Sequence, residues 1–60
     1  GDNLIISGTE DNDEVLIYDI NGRLVVSETG QHNSTSVNIS NLNKGVYIVK
    51  TNSGTSKFVK

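Results

Sequence analysis

The residues best equipped for chemistry are the acidic run Glu10-Asp11-Asn12-Asp13-Glu14 and the single histidine, His32. Clustered carboxylates offer the oxygen ligands that hard cations prefer, so the acidic run raises calcium binding. A calcium loop alternates its acids and then turns on a glycine. Counted from Asp11, Val15 holds the fifth position and Leu16 the position of that glycine. The run therefore predicts a solvated loop and no metal. One histidine without cysteine cannot complete an ordinary zinc site, and the chain has no Cys. A serine triad would need His32, an acid and a serine on a strained Gly-x-Ser-x-Gly elbow, and no such motif is present. Asn33-Ser34-Thr35 and Asn38-Ile39-Ser40 fit the glycosylation pattern, which is frequent by chance. The expectation is no catalytic residue, no metal and no cofactor, hence a protein that acts by being recognised.

The elements that must carry such a surface are strands. Of the 60 residues 33% are apolar, mostly Val and Ile, and none is Ala. β-branched side chains are stiff and suit a pleated surface. No window repeats apolar residues at helical spacing. Six strands are predicted, at 3–7, 14–20, 23–28, 36–40, 46–51 and 56–60, with loops at 30–35 and 41–45. The fold class expected is all-β: a small Ig-like or Greek-key β-sandwich of six to seven short antiparallel strands. Residues 1–60 are expected to form one domain, cut from a larger secreted protein. No stretch reaches the roughly 20 apolar residues of a membrane helix, and the first residues lack the basic and apolar regions of a signal peptide.

The segment Val15–Val26 is an apolar run interrupted by Asn21-Gly22. A two-residue Asn-Gly turn would set Ile20 opposite Arg23. A three-residue loop, Ile20-Asn21-Gly22 with Gly22 left-handed, sets Asp19 opposite Arg23, Ile17 opposite Val25 and Leu16 opposite Val26. The second register is favoured because it pairs opposite charges across the strands. It also leaves both faces of the hairpin apolar, with Leu16, Tyr18, Leu24 and Val26 on one and Val15, Ile17 and Val25 on the other. Strands apolar on both faces are normally covered on both. Residues 14–26 and 46–50 therefore either sit centrally under long loops or present an apolar patch to a partner, which could be a second copy.

Asn41-Leu42-Asn43-Lys44-Gly45-Val46-Tyr47 suggests a corner. Leu42 would plug the end of the sandwich and Gly45 would permit a bend. Tyr47 would sink its ring into the core and return its hydroxyl to backbone near residues 41–43, like the tyrosine corner of Greek-key sandwiches. Charge is divided along the chain. Residues 1–30 hold seven acids and Arg23, a net of −6, and residues 31–60 hold four lysines and no acid, a net of +4. Neutralisation between paired strands is the expected use of this asymmetry. Four lysines without interleaved aromatics do not suggest nucleic-acid binding.

Taken together, "VLIYDINGRLV", "VNISNLNKGVYIVKT" and the final "SKFVK" resemble the C-terminal sorting domains, type A, of the type IX (Por) secretion system of Bacteroidetes. The match in order and spacing runs over residues 14–60. Tyr18, Asp19, Gly22 and Arg23 correspond to the family's hairpin motif, and Leu42, Gly45, Val46 and Tyr47 to its corner. Lys57, Phe58, Val59 and Lys60 correspond to the terminal strand associated with recognition. The chain departs from the family in lacking proline, since members usually open with Pro-Asn-Pro. The resemblance implies a non-catalytic Ig-like sandwich that addresses a cargo protein to an outer-membrane secretion translocon. A sortase-type peptidase is the second implied partner. The implied destination is the cell surface or the medium, by way of the periplasm and outer membrane. The competing expectation is a small accessory or carbohydrate-binding module of a secreted enzyme.

Overall fold

The computed structural model describes residues 2–60. Six strands follow one another: β1 (Asn3–Thr9), β2 (Glu14–Asp19), β3 (Leu24–Thr29), β4 (Asn33–Asn38), β5 (Val46–Thr51) and β6 (Gly54–Val59). All pairings are antiparallel. The described residues contain no helix, so the all-β expectation holds. β1 and β4 form one sheet, and β3-β2-β5-β6 form the other in that order. The chain crosses between sheets after β1, β3 and β4, as a sandwich with Greek-key character requires.

Strand alternation explains the core. Val15 and Ile17 of β2 and Tyr47 and Val49 of β5 point inward from the four-stranded sheet. They meet Val37 and Ile39 from the end of β4, with Leu4 and Ile6 of β1 packed against them. Val15, Ile17 and Val37 are fully buried. The central positions of β2 and β5 follow from their sequences, since the strands with the most apolar residues belong where neighbours flank them on both sides.

Three expectations need correction. The hairpin begins in the favoured register: the Asp19 N–H donates to the Arg23 carbonyl at 2.9 Å, and Gly22 has a left-handed φ of 83°. One extra residue in β3 then shifts the pairing between Tyr18 and Ile17. Ile17 faces Val26, not Val25, and Leu16 faces Ser27, not Val26. The irregularity is a β-bulge, which brings Val26 to the core side beside Ile17 while Val25 still packs against the core.

Second, β4 starts at Asn33, inside the stretch expected to be a loop. β1 runs on to Thr9, past an irregularity near Gly8, and offers a partner there. The buried hydroxyls of Thr9 and Thr35 lie 2.7 Å apart. Thr9 Oγ1 donates to the Gln31 carbonyl at 2.6 Å, and the Gln31 N–H donates to Thr35 Oγ1 at 3.0 Å. Two polar residues can thus occupy core positions because they satisfy one another.

Third, the charged halves do not neutralise each other strand by strand. Lys50 lies opposite Leu16 and Thr55, and Lys57 opposite Ile48. Among the described residues the one Lys–carboxylate pair joining the halves is Lys60 with Asp2, at 3.7 Å.

Candidate recognition surface

The hairpin motif is first of all a turn. Asp19 Oδ1 accepts hydrogen bonds from the backbone N–H groups of Asn21 and Arg23, each at 2.9 Å, and the Gly22 N–H donates to the Asp19 carbonyl at 3.0 Å. The carboxylate here holds two backbone N–H groups of one loop, and the Asp19 carbonyl holds a third. The expected Asp19–Arg23 ion pair is long, 3.9 Å, and Arg23 is largely exposed. Charge pairing therefore contributes little, and the turn chemistry explains why an acid stands at this position.

The corner folds as expected. The Tyr47 hydroxyl donates to the Asn43 carbonyl at 2.6 Å, and the ring stacks on Phe58, centroid to centroid 5.5 Å. Leu42 packs against the core, and its N–H donates to the Ile39 carbonyl at 3.0 Å. Gly45 stands at a bend with a positive φ of 158°, as expected. Both of its backbone groups pair with Lys60, so it prolongs the β5–β6 ladder.

The terminal residues separate into two kinds. Lys57 lies opposite Ile48 and Val59 opposite Val46, on the sheet face that points away from the core. Val59 is 74% exposed. Phe58 faces inward on Tyr47. Lys60 folds back: its Nζ donates to the carbonyls of Ile39 at 2.7 Å and Leu42 at 2.6 Å. The side chain is 15% exposed and also approaches Asp2. An ammonium satisfying two loop carbonyls is a clamp, and it ties the end of β6 to the corner. Sequence reasoning gave no sign of this clamp, because its acceptors are backbone carbonyls at remote positions.

A groove of about 420 Å³ opens between β1 and β6, with Ile6, Val49 and Phe58 on its apolar side and Ser56 and Lys57 on its polar side. β1 pairs only with β4, and β6 only with β5. One edge of each strand is therefore unpaired among the described residues, and these edges flank the groove.

The acidic run is spent on contacts within its own loop and with the loops at His32 and Asn52. Asp13 Oδ2 accepts from the Glu10 N–H at 2.9 Å, and its Oδ1 accepts from Asn52 Nδ2 at 3.1 Å. Asp11 accepts from the His32 N–H at 3.0 Å, while His32 Nδ1 lies 3.2 Å from Glu10. No group of three metal-ligating side chains converges among the described residues. Gly30 is needed for close packing, since a Cβ there would come within 2.8 Å of Asp13 Cβ. Nothing in the isolated sequence separated it from the other loop glycines.

Turns, a clamped corner and two packed sheets define a small β-sandwich domain. The chain belongs to the secretion system C-terminal sorting domain family, whose model matches residues 1–60, and these are the sorting domains of type IX secretion. No curated protein and no solved structure matches the chain. The family implies export to the cell surface or the medium and interaction with the secretion machinery. No helix among the described residues is long and apolar enough to cross a membrane.

Proposed function

We propose that residues 1–60 act as a non-catalytic signal at the end of a larger cargo protein and direct that cargo through the type IX system to the cell surface or medium. The observation that carries this reading is the free edge of β6, held in a fixed position. Among the described residues, strand β6 pairs on one side only. The Lys60 clamp and the Tyr47–Phe58 stack hold it against the body of the domain. An extended segment of the outer-membrane translocon adds to this edge as a further strand, with backbone hydrogen bonds giving affinity. Lys57 and Val59 present side chains to the recogniser, while Phe58 and Lys60 position the strand. The sortase-type peptidase acts on the exported cargo outside the segment described.

The carbohydrate-binding alternative loses support from the placement of the rings. Tyr47 and Phe58 stack inside, leaving Tyr18 alone on the outer face. The test is a reporter carrying residues 1–60, expressed in a type IX-competent cell. Export of the intact fusion and retention of one lacking residues 56–60 are expected. Retention of the intact fusion, or equal export of both, overturns the proposal.

A further inference from the structure

The outer face of the four-stranded sheet carries an unusual combination. Three successive rows cross it. Ser27, Leu16, Lys50 and Thr55 form the first, and Leu24, Tyr18, Ile48 and Lys57 the second. Val46 and Val59 form the third. Leu24, Val46 and Val59 are among the few large apolar side chains that the domain exposes. Ile20, also exposed, follows Asp19 and comes level with Val46 along the neighbouring strand. These rows hold two lysines and no carboxylate. Asp19 and Glu28 lie in register with the core residues Tyr47 and Val15, and Glu14 belongs to the row beyond.

We propose that this face docks a protein partner presenting a small apolar patch flanked by carboxylates. The proposal rests on the sorting reading above and names the surface chemistry of the recogniser. Charge complementarity selects the partner. A second copy would bring lysines against lysines or apolar rows, with no acid on the same rows to answer them. Area does not choose between a second copy and another protein, but it sets the strength of the contact. From strand spacing and rise, the three rows cover roughly 300–400 Å². Any protein docked on it would bury about 600–800 Å² in total, short of the roughly 1,200 Å² of a stable interface, so the complex is a transient one. An anionic membrane is a poor fit as well. Such docking draws on clusters of about four to eight basic residues and on Trp or Phe wedges, and this face has two lysines and one tyrosine. A small apolar contact steered by two charges gives a brief, salt-sensitive complex, which suits a signal that must be released after passage.

The test uses the reporter fused to residues 1–60. The double variant Lys50→Glu/Lys57→Glu is expected to cut export at least tenfold, and Lys50→Arg/Lys57→Arg to preserve it, with unchanged circular dichroism and melting for both. Export unaffected by charge reversal overturns the proposal and leaves the sorting reading standing. Failure of the unsubstituted fusion to leave the cell overturns both. Should the charge-reversed domain not fold, a photo-crosslinker decides. At position 24 it is expected to join the fusion to an outer-membrane component of the machinery, and at position 36, on the opposite sheet, it is not. Equal crosslinking at both positions overturns the proposal. So does concentration-dependent dimerisation in sedimentation, which assigns the face to a second copy. Co-sedimentation with vesicles of anionic phospholipid would assign it to lipid and overturn the proposal too.

Discussion

The two faces of the four-stranded sheet are built from the same strands and comparable residues, yet they have opposite fates. Val15 and Ile17 on the inner face are fully buried. Leu16 and Tyr18, their neighbours in sequence, stand on a face that no other strand among the described residues covers. The difference lies in the partner. β1 and β4 close one side, and none of the six described strands closes the other. A 60-residue domain buries only about 60% of the surface its unfolded chain exposes. An apolar face left over in so small a domain is therefore surface withheld from stability and open to recognition.

That contrast can be broken from the inside first. Ile17→Ala should destabilise the domain by about 2–5 kcal/mol, because it leaves a cavity in a fully buried site. Urea denaturation measures it, and a loss below about 1 kcal/mol would mean that Ile17 is not at the centre of the core. The clamp comes next. Lys60→Met keeps the aliphatic stem and removes the ammonium from the carbonyls of Ile39 and Leu42. A loss of about 1.5–3 kcal/mol is expected for hydrogen bonds from a charged donor, with faster amide exchange at Gly45. Unchanged exchange there would show that the clamp does not hold the strand end.

Tyr47→Phe removes the hydroxyl that reaches the Asn43 carbonyl and keeps the ring on Phe58. About 1 kcal/mol should be lost, and a melting curve identical to the parent's would rule out a structural part for the hydroxyl. The smallest effect belongs to the outer face. Leu24→Ser should change stability by no more than about 0.5 kcal/mol, as surface substitutions away from special features do. A large loss would show that the face contributes to the fold, and the contrast between the two faces would fail.

Legibility in the sequence followed the range of the interactions. The turn at Asp19–Arg23 and the corner at Leu42–Tyr47 were readable because each is closed by groups a few residues apart. Family membership was readable for the same reason, since its motifs are these two local structures. The start of β4 was hidden. Asn33, Ser34 and Thr35 look like loop residues until Thr9 arrives from a distant strand to satisfy Thr35. The bulge opposite Ile17 was hidden as well, because both registers place apolar residues on both faces, and alternation cannot choose between them. Arg23 was legible as a position, but its pairing with Asp19 was overvalued, since a contact across a turn says nothing of exposure.

The sequence alone determined an all-β chain, its turns, its tyrosine corner and the absence of a metal-loop spacing, because these depend on side-chain stiffness, backbone freedom and short-range hydrogen bonds. Tertiary structure decided which apolar face is closed. It also decided that Lys57 and Lys60, near neighbours of the same type, differ in role: one stands on an open face and the other is drawn into a cluster of carbonyls. The cause is long-range. Burial and clamping depend on which remote strand arrives alongside, and that partner is set only when the two sheets meet.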